Sequence, residues 1–196
     1  MGSNSLRGWM EVVVFAIAAT LVSFFPVSVG EYSLVLAGIP LIFISLRRGL
    51  LQGLFAGGLA GILFLLFKEG SPDLSENIVT QFSPLAFIGI TGLFAKNTQR
   101  TLNNKRYSNA ALNIITASII GMLLYFVWMA VGSVFFTTEV ASNESNLFNI
   151  YSLSFLLSVV VTAAVLLLLA KFAPKLFIPR DTSFLSRKEK SRLLND

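Results

Sequence analysis

Residues Ala110 to Phe136 read AALNIITASIIGMLLYFVWMAVGSVFF, without one Asp, Glu, Lys or Arg. A helix that crosses the hydrocarbon core of a bilayer needs about 20 mostly apolar residues, and this run supplies them. Polar linkers bound it, Asn103-Asn104-Lys105-Arg106 before and Asn143 to Asn146 after. Working outward, the same reading gives Phe148–Phe172 on one side and Ile78–Ala95, Leu50–Phe67, Tyr32–Leu46 and Met10–Phe25 on the other. The second of these six is short for a span; it either tilts little or begins inside the preceding loop. Pro26 and Gly30 bracket that loop, Arg47-Arg48-Gly49 makes a tight turn, and Gly70-Ser71-Pro72-Asp73 closes the third span. Asp73 with Glu76 reads as a capping box for the fourth. The expected class is an all-α membrane protein of six transmembrane helices, residues 1–178, followed by a basic tail, 179–196.

Composition agrees. Of 196 residues, 55% are hydrophobic and 13% charged, about half the charge of an ordinary soluble domain. Placing the N-terminus inside puts 14 of the 15 basic residues on the cytoplasmic side, with only Lys68 outside. Six of the ten acids, Glu31, Glu69, Asp73, Glu76, Glu139 and Glu144, then fall outside. This is the positive-inside pattern, so the net charge of +5 reports topology and contact with anionic lipid rather than nucleic acid. The expected location is the cell membrane, with both termini cytoplasmic. The first span lacks an A-x-A site and is led in by Arg7 alone, unlike a cleaved signal peptide.

Cysteine and histidine are absent, which removes disulfides, the usual zinc sites and the commonest general base. No charge sits mid-span, which argues against a self-driven proton-coupled transporter or a charged filter. No G-x-x-x-x-G-K-[ST] loop is present. Enzymatic work has no constellation to rest on, and no cofactor is expected. Gly53, Gly57 and Gly61 line one face of the third span, suited to close helix packing. Ala16, Ala18, Ala19 and Thr20 make a small-residue patch on the first span, open to a membrane partner. In the outer half, Glu31, Tyr32, Glu76, Thr80, Gln81, Tyr125, Trp128 and Tyr151 mix aromatic and polar groups. They suit either a small-ligand pocket or an interfacial belt with helix caps.

Several stretches carry a family resemblance. They are Gly38-Ile39-Pro40-Leu41-Ile42-Phe43-Ile44-Ser45-Leu46-Arg47-Arg48-Gly49-Leu50, the glycines at 53, 57, 58 and 61, and Gly89-Ile90 with Gly92-Leu93-Phe94. Tyr125-Phe126 with Gly132 and Phe135, Ile150-Tyr151-Ser152-Leu153 and Ala173-Pro174-Lys175-Leu176-Phe177 complete the set. In order and spacing these resemble the thiamine-specific substrate-binding (S) component of energy-coupling factor vitamin transporters, from about Glu11 to Phe177. The resemblance implies six helices, a vitamin site near the outer face, and power from a shared module of one membrane scaffold and two ATPases. It also implies that the first helix docks on that scaffold through Ala16, Ala19 and Thr20. The family's carboxylate and tyrosine on the fourth helix fall on Thr80 and Gln81. Its histidine on the fifth falls on Trp128 and a later tryptophan on Phe136; Tyr151 is kept, and an asparagine after it is Leu156. A tryptophan of the first outer loop falls near Glu31 and Tyr32. The expected ligand contacts are therefore Glu31, Tyr32, Gln81, Trp128, Gly132, Phe136 and Tyr151, with Glu31 or Glu76 supplying charge. The rivals are the same scaffold binding a different small molecule, and a self-sufficient channel or facilitator.

Overall fold

A computed structural model of the chain describes residues 3–68, 73–136, 144–186 and 189. Gly70, Ser71 and Pro72, the acids Glu69 and Glu139, Asn143, and the tail cations Arg187, Lys188, Lys190 and Arg192 lie outside them. The described chain is mostly helical. We number its helices α1 Ser3–Ser23, α2 Gly38–Arg48, α3 Leu50–Phe67, α4 Leu74–Asn103, α5 Tyr107–Phe136 and α6 Glu144–Phe172. A small antiparallel hairpin, β1 Val27–Val29 and β2 Tyr32–Leu34, joins α1 to α2, and a short 3-10 turn, Pro174–Phe177, follows α6.

Five helices among the described residues are long and apolar enough to cross a membrane: α1, α3, α4, α5 and α6. The expected second span divides. Its first residues, Tyr32 to Leu34, are strand, and its helix, α2, has 11 residues, about 16 Å at 1.5 Å per residue. That is about half the hydrocarbon thickness. Leu41, Ile42, Ile44 and Leu46 of α2 are fully buried, so α2 is an internal strut, wrapped by the others. Gly49 ends it with φ of 95°, a backbone conformation that side chains resist, and so turns the chain directly into α3.

The glycine stripe of α3 packs inward. A methyl group at Gly57 would overlap the Leu85 carbonyl, and one at Gly61 would press on Phe82; Gly53 faces Ser45 and the Gly89 carbonyl. Gly89 and Gly92 answer from α4, where an added Cβ would meet the backbone at Gly53 and Gly49. Small residues on both sides let the two backbones touch. α4 itself is not a uniform rod. It is π-helical over Ile78–Phe82 and 3-10 over Gly89–Phe94. Pro84 lacks the N–H that would bond one turn back. The Ser83 amide reaches five residues back to the Ile78 carbonyl, and the Ser83 hydroxyl donates to the same atom at 2.9 Å.

The small-residue patch of α1 is also internal. Ala16 and Ala19 are wholly buried and Thr20 nearly so. The Thr20 hydroxyl donates to the Ala16 carbonyl at 2.9 Å and lies 3.2 Å from the Ala60 carbonyl of α3. Ala16, Ala19 and Thr20 thus seat α1 on α3 and are closed to a partner. The face α1 turns outward carries Met10, Val13, Val14, Ile17 and Leu21.

At the end where α1 starts and α6 finishes, Glu11 accepts from both arginines of the α2–α3 turn, from Arg47 Nε at 2.8 Å and from Arg48 Nε at 2.9 Å. Arg48 also donates to both Asp181 oxygens at 2.9 Å, and Arg47 to the Leu176 carbonyl. Gln99 of α4 donates to the Leu46 and Arg47 carbonyls and accepts from the Thr182 hydroxyl at 2.6 Å. Phe177 is fully buried edge-on to Phe43. The segment after α6 therefore packs on this end as far as Leu185, which is buried.

Candidate functional site

The opposite end gathers the aromatic and polar residues. α5 carries Tyr125, Phe126, Trp128 and Gly132 along its later turns. Trp128 stacks on Phe87 of α4, with ring centroids 5.0 Å apart and planes 17° apart. Phe126 sits edge-on to Tyr125, Tyr151 and Phe155, at 5.4, 6.5 and 6.1 Å. The rings therefore form two groups on different faces of α5, Trp128 with Phe87 of α4 and Phe126 with Tyr125, Tyr151 and Phe155. Gly132 is buried where α5 meets the π-helical turn of α4; a Cβ there would press on the Thr80 methyl.

The π-helical turn sets how Thr80 and Gln81 present themselves. The Thr80 hydroxyl is bound to the Glu76 carbonyl at 2.8 Å, so it is turned along its own helix. Gln81 donates from Nε2 to Asn77 Oδ1 at 2.8 Å, and its Oε1 is buried with no partner. A buried acceptor without a donor is costly, and a ligand N–H would relieve it. Asp73 caps the start of α4, accepting from the Ser75 amide and hydroxyl. The Ser75 hydroxyl and amide hold its carboxyl below the usual carboxylate range. Glu76, in the first turn, is half-buried.

The hairpin closes on α6. Ser154 accepts from the Ser33 amide at 3.1 Å and Ser158 from the Val35 amide at 3.0 Å. Strand amides need partners where water is scarce, and two hydroxyls one helical turn apart supply them. The spacing of Ser154 and Ser158 is visible in the sequence, yet sequence reasoning passed over their role. Tyr32 is half-buried in β2; Glu31 is exposed at the hairpin turn. Gln81, Trp128, Gly132 and Tyr151 are thus placed on the packed faces of α4, α5 and α6, with Tyr32 on the strand that α6 holds. No hydrogen bond or ring contact among the described residues joins Glu31 or Phe136 to them. Phe87 and Phe126, absent from the expected ligand contacts, are the ring partners of Trp128 and Tyr151 respectively. No group of His, Cys, Asp and Glu suited to a metal occurs among the described residues.

The family model described as thiamine transporter protein matches residues 9–178. The thiamine transporter ThiT of Lacticaseibacillus paracasei is 29% identical over 191 residues, covering 91% of this chain and 94% of that protein. ThiT of Bacillus subtilis is 29% identical over 147 residues, covering 70% and 74%. The solved structure of ThiT from Listeria monocytogenes superposes with a TM-score of 0.81 at 30% identity, covering 90% of this chain and all of that one.

Proposed function

The chain belongs to the thiamine transporter protein family, a family of transporters and not of enzymes, and from that membership we propose that it is the substrate-capture (S) subunit of an energy-coupling factor importer. Thiamine is its ligand, held at the Trp128 end of the bundle. The observation that carries the reading is the unpartnered Gln81 oxygen on α4, the helix whose Phe87 stacks on Trp128, with Tyr151 in the separate ring cluster of Phe126. Aromatic faces attract a cationic ring, and a few fixed polar groups orient it. Charge balance falls to Glu76, half-buried on α4, rather than to the exposed Glu31. The hairpin with α2 counts as the sixth crossing, which brings both termini to the basic, cytoplasmic end. The opposite end, with the site, faces outward. Power comes from a separate scaffold and two ATPase subunits, which meet surfaces other than the buried Ala16, Ala19 and Thr20.

Proteoliposomes test this. The chain alone should pass no labelled thiamine above empty vesicles. Adding an energy-coupling factor module with ATP should give uptake. Flux from the chain alone, without module or ATP, would show a facilitator and overturn the reading.

A further inference from the structure

We propose that the groove between the start of α5 and the end of α6 is a binding site for one anionic phospholipid. Its walls are Leu102 of α4, Ala110 and Ala111 of α5, and Leu167 and Ala170 of α6, enclosing about 390 Å³. Three of those five side chains are single methyl groups, which is why the antiparallel helices leave a trough where they converge. Tyr107 and Lys171 complete the lining, and both are exposed. An apolar trough of this kind stays dry, and at the edge of a bilayer the available apolar filler is an acyl chain. A cation and a phenol at the mouth are the groups that meet a phosphate at the membrane surface.

Charge selects the headgroup. Residues 101–113 and 167–180 contain Lys105, Arg106, Lys171, Lys175 and Arg180 and no Asp or Glu. Arg47 and Arg48, at the same end, are neutralised by Glu11 and Asp181. Among the described residues, Arg106, Lys171 and Lys175 enter no ion pair. The Lys171 ammonium instead lies 5.9 Å from the Phe172 ring, at the end of the last apolar helix. Basic pockets between helices at this depth take anionic lipid. The site is independent of the vitamin pocket at the far end of the bundle.

The test uses the full chain in nanodiscs of equal phosphatidylglycerol and phosphatidylcholine, released into mild detergent and weighed by native mass spectrometry. One phosphatidylglycerol should remain bound per chain, in excess over phosphatidylcholine by at least about fivefold, the factor expected for one basic residue near a lipid phosphate. Lys171→Gln should bring the two lipids to parity, while Lys96→Gln, outside the groove, should leave the preference intact. Ala170→Leu and Ala111→Leu should expel the adduct altogether; each variant is first shown to melt cooperatively. Equal retention of both lipids by the parent chain would show ordinary boundary lipid and overturn the proposal. So would a preference that survives Lys171→Gln.

Discussion

Three hydroxyls on one face of α6, Ser154, Ser158 and Thr162, have different fates. The first two accept strand amides; the Thr162 hydroxyl is fully buried and unpartnered. Leaving a buried donor unmet costs about 1–3 kcal/mol, whereas removing a polar group that has no partner does not. Ser158→Ala should therefore destabilise the chain by about 1–3 kcal/mol. Thr162→Val, equal in shape, should be neutral or stabilising in the same thermal melt. A matched loss in both would contradict the bonding pattern. Tyr151 and Trp128 stood out in the sequence because the chain has only two Trp and four Tyr. The hydroxyl rungs did not, because a serine near a helix start reads equally as polarity at an interface. Phe87 and Phe126 were hidden for the opposite reason: phenylalanine is everywhere in this chain, 18 residues of it.

Element boundaries followed hydropathy where an element faces lipid. α3 spans Leu50–Phe67 as expected. Hydropathy fails where protein replaces lipid as solvent. α2 carries an apolar run through Leu46 but has only 11 residues, and its neighbours rather than lipid bury it; a hydrophobic count cannot tell the two surroundings apart. Pro84 introduces a second difficulty. Residue positions counted back from Gly89 along an ideal helix cross the π-helical turn, which shifts every side chain beyond it around the axis. That places Thr80 and Gln81 by structure rather than by spacing. The glycine stripe was legible as a packing face, and its partner is now α4. Gly57→Val should separate α3 from α4 and lower stability by about 1–3 kcal/mol through overpacking. Gly58→Val should cost less, since a Cβ at Gly58 meets only the Phe82 ring at 3.8 Å. Thermal unfolding in detergent compares them, and equal losses would mean the stripe does not face α4.

At the scale of the molecule, two ends divide the labour. The basic end is tied by Glu11, which holds α1 to the α2–α3 turn, and by Asp181 and Thr182, which hold the segment after α6. The charge asymmetry of the sequence located this end but not its bonding, since ion pairs link residues 36 or more apart along the chain. Glu11→Gln leaves two guanidinium groups, one nearly buried, with a single carboxylate. A loss of about 1–3 kcal/mol should follow, less than the roughly 3–5 kcal/mol for breaking a fully buried pair because Glu11 and Arg47 are partly exposed, with little change in ligand affinity because the candidate site lies at the other end. The aromatic end carries the transport claim. Its most direct test is a thiamine titration of a Trp9→Phe chain, in which Trp128 is the sole tryptophan. Saturable quenching with a Kd below about 1 μM, roughly −8 kcal/mol, lost in Tyr151→Ala, is the predicted result. No response up to about 1 mM thiamine, from protein shown to be folded, would contradict thiamine capture at this site.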